Sequence, residues 1–167
     1  MSRKIARMGM MQILFVMNHN NDFSLDAMER VLATPREEDE VKVIHEIFKE
    51  QNKVIKRDLL EKNFNEGELK YIRESIPILV ENLEEIDLKI SYNLRNWSLD
   101  RLAQVDLAIL RVAVFEFLFK EDIPKPVSIN EAIEMAKTYS SDDSSRFING
   151  ILGSIIREED LNETIES

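Results

Sequence analysis

The chain has 167 residues, with 32 acidic against 22 basic side chains and a formal net charge of -10. At this length roughly 68–70% of the unfolded surface is buried on folding, so one core forms without covalent staples. The lack of cysteine excludes a disulfide framework, a thiolate zinc site, an iron–sulfur cluster and a cysteine nucleophile. Glycine and proline, four of each, fall well below their average usage of about 7% and 5%. The composition therefore predicts an all-α protein.

The first predicted helix is apolar but begins with cations. Apolar residues recur at helical spacing from about Arg3 to Met17, and a polar run begins at Asn18. Before Asn18 the only charged side chains are Arg3, Lys4 and Arg7. Cations at a helix N-terminus oppose its dipole at a cost of about 0.3–1 kcal/mol each. Their position therefore indicates a role other than helix stability. The sequence has no run of 18 apolar residues and no signal-peptide pattern, which predicts a mature cytoplasmic protein.

The next segment contains three predicted helix starts. Ser24 is placed to cap a helix through about Leu32, and the capping box at residues 34–37 begins a charged amphipathic stretch over about 36–62. We interpret that stretch as a solvated helical arm or hairpin. Asn65 begins a further helix, in which Pro77 predicts a kink unless the helix ends there.

The second half contains the predicted centre of the fold. The segment from Leu102 to Phe119 is apolar nearly all round, as expected of a helix surrounded by others. Three charges inside it, at Asp106, Arg111 and Glu116, need partners or water. We expect Trp97, just before this segment, to fill the core between helices rather than to offer an exposed stacking face.

The last two predicted helices follow an extended connection at residues 123–127. A capping box at residues 128–131 opens a helix through about Tyr139, and a polar turn at residues 140–145 precedes the final helix. The acidic tail, 158–167, is expected to fray.

Enzyme motifs are scarce. The sequence contains no phosphate-binding glycine loop, no Gly-x-Ser-x-Gly and no His-Glu-x-x-His. His19 and His45 have no ligand partner at helical spacing, so we interpret both as surface residues. Asp142 and Asp143 are more easily explained as helix-start groups than as an acid–base pair.

Four blocks together resemble the transcription antitermination factor NusB family. The first is Arg3-Lys-Ile-Ala-Arg7 with Gln-Ile-Leu-Phe at residues 12–15. The second is residues 96–101, Asn-Trp-Ser-Leu-Asp-Arg, with the apolar segment at 105–111 and the glutamate at 116. The third is Ile-Pro-Lys-Pro-Val-Ser-Ile-Asn-Glu-Ala-Ile-Glu-Met-Ala-Lys at 123–137, and the fourth is Asp-Ser-Ser-Arg-Phe-Ile-Asn-Gly at 143–150. Residues 22–65 carry none of the resemblance and are expected to be a lineage-specific helical elaboration.

The resemblance implies a single all-α domain over 1–167, with about seven helices in two small packed bundles. It implies no catalysis, no cofactor and no metal. Family members bind a single-stranded RNA element, box A, of ribosomal RNA transcripts. They do so together with NusE, a small-subunit ribosomal protein, and the complex helps RNA polymerase resist termination.

The resemblance also implies site residues. Single strands are held by cations on phosphates, aromatic rings against bases and polar groups at base edges. The implied phosphate contacts are Arg3, Lys4 and Arg7. The implied aromatic residues are Phe15, Tyr139 and Phe147, and the implied base-edge contacts are Asp143, Ser144 and Asn149.

Several of these residues have a second interpretation. Phe15 and Phe147 equally fit the core, and Asp143 and Asn149 equally fit turn and cap roles. Asp106 is implied near the NusE surface, although an internal pairing with Arg111 or another cation is an equal alternative. About three phosphate contacts predict a salt slope near -2, with weak RNA binding alone and tight binding with NusE.

Two other functions remain as hypotheses. The acidic charge and the amphipathic stretch at about 36–62 also fit an interaction module that forms a homodimer and has lost RNA binding. An RNA-modifying enzyme is a third hypothesis, because this fold also occurs fused to ribosomal RNA cytosine methyltransferases. The ending at Ser167, without a cysteine nucleophile or a glycine-rich loop, argues against it.

Overall fold

The computed structural model describes residues 3–33 and 64–166. The stretch predicted at about 36–62 and His45 lie outside these ranges. The described residues form seven α-helices and one short 3-10 helix, and they contain no strand. The α-helices are α1 (Lys4–Asn20), α2 (Leu25–Leu32), α3 (Glu66–Glu81), α4 (Leu83–Tyr92), α5 (Gln104–Phe119), α6 (Lys125–Tyr139) and α7 (Asp142–Glu166), and the 3-10 helix is Leu99–Arg101. The prediction of an all-α fold is confirmed.

Two of the predicted caps begin their helices. Ser24 Oγ accepts the backbone N–H of Ala27 at 3.1 Å, and Asn65 Oδ1 accepts that of Glu68 at 2.9 Å. Each bond satisfies one of the N–H groups that a helix start leaves without a partner. α3 continues through Pro77 and ends at Glu81.

Helix α5 lies at the centre of the molecule. It contacts α1, α3, α4, α6 and α7. All residues from Val105 to Phe117 are buried. A helix that is apolar all round has to be covered on every side, and the sequence-based position of this element is therefore confirmed.

Arg111, one of the three charges inside α5, is bound across the bundle. Its Nε and Nη2 donate to the two carboxylate oxygens of Asp87 on α4, each at 2.9 Å, and its Nη1 donates to Asn18 at 3.1 Å. This forked geometry matches a planar guanidinium to a carboxylate. Arg111 therefore connects α5 to both α4 and α1.

Trp97 is not the core residue that we predicted. Its side chain is 57% exposed. Leu99 and Leu102, in and directly after the 3-10 helix, pack against the core from this connection. The connection thus covers the core with leucines and leaves the larger indole at the surface.

Helix α6 begins three residues before the predicted cap. Pro124 precedes it and Pro126 lies in its first turn, where a proline costs no hydrogen bond because the N–H has no intrahelical partner. The predicted capping residue, Ser128, instead donates its hydroxyl to Glu116 Oε1 at 2.7 Å. Ser128 therefore makes a tertiary hydrogen bond instead of the local capping bond that was expected.

The acidic tail extends α7 to Glu166. Glu159 accepts from Lys125 Nζ at 2.7 Å and lies 3.9 Å from Lys89 Nζ, and the bond to Glu159 raises the pKa of Lys125. These contacts attach the tail to α4 and α6. Within the described ranges, none of the helices combines the length and apolar character needed to cross a membrane.

Candidate nucleic-acid interface

The two cations at the start of α1 lie at the surface. Arg3 Nη2 donates to Asp122 Oδ2 at 3.1 Å, and the guanidinium carbon lies 4.9 Å from the centroid of the Tyr71 ring. The bond from Arg3 is the main cause that lowers the pKa of Asp122. Lys4 is exposed. Because a solvent-screened ion pair is weak, an RNA phosphate can compete with Asp122 for Arg3.

Arg7 has an interior role in place of the predicted phosphate contact. It is 5% exposed, and its Nε donates to Glu116 Oε2 at 2.7 Å and to Oε1 at 3.0 Å. Tyr71 Oη donates to the same carboxylate at 3.2 Å, as does Ser128 Oγ at 2.7 Å. Burial, followed by the charge of Glu116, raises the pKa of Tyr71. This network attaches the start of α1 to α3, α5 and α6 through one carboxylate.

Phe15 and Tyr139 are buried rather than open to a stacking base. Phe15 is fully buried, with its ring parallel to that of exposed His19 at a centroid distance of 6.5 Å. Tyr139 is 2% exposed. Of the two interpretations offered for Phe15, the structure matches the core residue. The helical spacing of Phe15 already suited a helix face that packs in the core, whereas its binding role was implied only by the resemblance.

Asp106 organises the turn between α6 and α7. It is buried, and its two oxygens accept from Ser140 Oγ at 2.8 Å and from Ser144 Oγ at 2.9 Å. The predicted pairing with Arg111 is wrong, because Arg111 binds Asp87. The implied contact of Asp106 with NusE stays a prediction.

The first turn of α7 presents polar side chains to solvent. Ser141 Oγ accepts the Ser144 N–H at 3.0 Å, so a serine makes the capping contact that was expected of an aspartate. Asp143 and Asn149 are exposed, and half-buried Phe147 packs against the core. Phe147 therefore matches its core interpretation, and the contacts of Phe147, Asp143 and Asn149 with RNA stay predictions.

Sequence reasoning missed Arg146. Its Nη2 donates to Asp143 Oδ1 at 2.7 Å, and its side chain is 75% exposed. The signal was present, because Arg146 lies three residues after Asp143 in the fourth block, one helical turn away. The first two turns of α7 therefore carry a cation as well as hydrogen-bonding groups.

A cleft of about 120 Å³ between α1 and α6 brings distant blocks of the sequence together. Lys4 lines it from the start of α1, and Tyr139 lines it from the end of α6. Tyr139 is followed directly by Ser140, which binds Asp106 in the turn before α7. The basic start and the polar turn are therefore neighbours in the folded chain. Among the described residues, no group of three or more histidine or acidic side chains is placed to hold a metal ion.

Known proteins are similar to this chain in sequence and in fold. A model of the NusB family matches residues 22–157. A transcription antitermination protein NusB of Clostridium botulinum (strain Kyoto / Type A2) is 40% identical over 156 residues, covering 93% of this chain and 100% of the relative. That of Alkaliphilus oremlandii (strain OhILAs) is 40% identical over 161 residues, covering 96% and 97%.

Two solved structures have the same arrangement of helices. T. maritima NusB superposes with a TM-score of 0.70 at 32% identity, covering 95% of this chain and 92% of that one. A chain from the crystal structure of antitermination factors NusB and NusE in complex with dsRNA has a TM-score of 0.67 at 23% identity, covering 93% and 96%. Because the family model matches most of the chain and the relatives align over nearly their whole length, this chain belongs to the NusB family.

Proposed function

We propose that the protein binds single-stranded box A RNA of ribosomal RNA transcripts together with NusE, and that the assembly makes RNA polymerase resist termination. The carrying observation is the cleft that places Lys4 beside Tyr139 and next to the turn held by Asp106. The relatives are named transcription antitermination proteins, and a chain of the same fold was solved with NusE and dsRNA. Both facts support this proposal.

The charge distribution favours joint rather than independent binding. The cations at the proposed interface are half-buried Arg3 and exposed Lys4 and Arg146, in a chain whose net charge is -10. Three phosphate contacts on a single strand give a slope of log affinity against log salt of about -2. So shallow a slope means that few counterions are released and that the RNA is held weakly. NusE would supply the remaining affinity.

The proposed role is binding without catalysis, carried out in the cytoplasm where bacterial transcripts are made. The buried groups Arg7, Phe15 and Tyr139 support the interface from beneath, and the exposed groups make the contacts. We assign the direct contacts to Arg3, Lys4, Asp143, Ser144, Arg146, Phe147 and Asn149.

The test is fluorescence anisotropy of a labelled box A-like single strand, with and without NusE, at two salt concentrations. We expect salt-sensitive binding that NusE strengthens. The double charge reversal Arg3→Glu with Lys4→Glu should weaken binding at least tenfold without unfolding the protein. RNA binding that this variant leaves unchanged would refute the assigned surface.

A matched control changes the same charge elsewhere. Arg30 and Arg73 are exposed, form surface pairs with Asp22 and Glu29, and do not line the cleft. The variant Arg30→Glu with Arg73→Glu should keep RNA affinity within about twofold, apart from the general screened repulsion. Sedimentation of the same samples at micromolar concentration tests the alternative dimer, and a strict monomer removes that hypothesis.

A further inference from the structure

We propose that the cleft between α1 and α6 binds one unstacked base of the RNA, a base that carries an exocyclic amino group, with Glu131 and Glu134 as acceptors. This inference rests on the proposed function and deepens it. It assigns a base-reading subsite to residues of α6 that sequence reasoning did not connect with RNA.

The cleft is a continuous face of two helices. Glu131, Glu134, Met135 and Thr138 line it from α6 at spacings of three, four and seven residues, which places them on one side of that helix. Ile5 and Met8 line it from α1, three residues apart, beside Lys4. Helical periodicity therefore places apolar and acidic side chains together on the α6 side of the cleft, and apolar side chains with one cation on the α1 side.

The size of the cleft matches part of a nucleotide. Its volume is about 120 Å³, below the roughly 300–1,000 Å³ of sites that enclose drug-sized ligands. The apolar side chains in its lining are Ile5, Met8 and Met135. Thioether sulfurs make favourable contacts with aromatic rings, and single-strand binding relies on placing bases against such surfaces. One base can enter while its sugar and phosphate stay outside.

The charges of the cleft select the base rather than the phosphate. Two carboxylates, of Glu131 and Glu134, line it together with a single cation, Lys4, while Glu134 Oε1 lies 3.8 Å from Lys137 Nζ on the same helix. A phosphate placed between the carboxylates would be repelled, whereas the amino group of a base donates to a carboxylate, as cytosine N4 does to glutamate. Lys4, on the α1 side, is placed for the backbone next to the bound base. An amino-bearing base in the cleft and a phosphate at Lys4 thus satisfy both signs of charge.

The first experiment fills the cleft. Thr138→Tyr adds a ring at the cleft wall on an exposed helix position, where the threonine Oγ1 donates to the Glu134 carbonyl at 2.9 Å. Thr164→Tyr is the matched control, because Thr164 makes the same bond one helical turn back, to Asp160 at 2.9 Å, near the end of α7. Unfolding of both variants in urea monitors the fold.

The probe is a labelled box A-like RNA, with NusE present, together with a series in which one nucleotide at a time is abasic. We expect Thr138→Tyr to weaken binding of the intact RNA about tenfold to a hundredfold, the range that one stacked base contributes, and Thr164→Tyr to leave it unchanged. For the RNA that lacks the base occupying the cleft, Thr138→Tyr and the unsubstituted protein should bind equally. Losses that are the same for every RNA of the series would overturn the base subsite.

The second experiment tests the acceptors. It combines one change in the RNA with one in the protein. In the nucleotide whose base occupies the cleft, the amino group is replaced by hydrogen; in the protein, both glutamates are replaced, as Glu131→Ala with Glu134→Ala. Each change alone should weaken binding, and the two together should weaken it no more than either one. Fully additive losses would overturn the role of the carboxylates. If the unsubstituted protein binds no RNA with NusE, the proposed function fails; if it binds and Thr138→Tyr binds equally well, only the base subsite fails.

Discussion

Glu116→Gln should strongly destabilise the protein, because Glu116 is the acceptor of the whole interior network. The carboxylate is 1% exposed and accepts from Arg7, Tyr71 and Ser128. The amide keeps the shape and one acceptor oxygen but leaves the buried guanidinium without its counter-charge. Breaking a buried pair from one side costs about 3–5 kcal/mol, a large share of a total stability of about 5–15 kcal/mol.

The assay is urea unfolding at neutral pH, with Glu29→Gln as the matched control. Glu29 makes the same type of bond, to Arg73 Nε at 3.1 Å, but both side chains of that pair are 47% exposed. A surface pair of this kind contributes about 0–1 kcal/mol. The two variants thus make the same chemical change, one in a buried network and the other in an exposed pair.

A double variant separates the ion pair from the rest of the network. Glu116→Gln combined with Arg7→Met removes both charges, and a pair replaced on both sides costs far less than one broken from one side. The double variant should be more stable than the sum of the two single losses predicts, by at least about 1 kcal/mol. The reasoning is refuted if Glu116→Gln matches Glu29→Gln within about 1 kcal/mol, or if the double variant is simply additive.

Four further predictions follow from single positions. The folded-state pKa of Tyr71 lies above its unfolded value of about 10. As pH rises, the unfolded chain therefore loses the Tyr71 proton before the folded chain does, so the free energy of unfolding falls once the pH exceeds the unfolded-state pKa. In urea unfolding at neutral and at alkaline pH, Tyr71→Phe should make this fall smaller. A Cβ on Gly9 would lie 2.6 Å from a ring carbon of Phe64, so Gly9→Ala should cost about 1–3 kcal/mol. Gly150 has open space around it, so Gly150→Ala should instead stabilise α7 by up to about 1 kcal/mol. Thermal melts measure both glycine variants. Asp106→Ala leaves two serine hydroxyls without their acceptor, which should cost about 1–3 kcal/mol in urea and weaken RNA binding in anisotropy.

Local sequence signals determined most of the secondary structure. The caps at Ser24 and Asn65 satisfy backbone groups within three residues of themselves, so both contacts are made within the local sequence. The apolar character of α5 likewise determined its central position, because such a helix has no face that water can solvate. The blocks that carry the resemblance include the exposed start of α1 and the turn before α7.

Only the tertiary structure decided which partner each polar or aromatic side chain has. Arg3, just before α1, and Arg7, in its first turn, are four residues apart. Arg7 binds a buried carboxylate 109 residues away, whereas Arg3 binds an exposed aspartate. Ser128 donates to Glu116 rather than capping its own helix, and the core position predicted for Trp97 is filled by Leu99 and Leu102. Periodicity along one helix reports which face is buried. The hydrogen-bond and ion-pair partners on that face depend on which residues of other helices pack against it. Those residues are distant in sequence, so no local sequence pattern reports them.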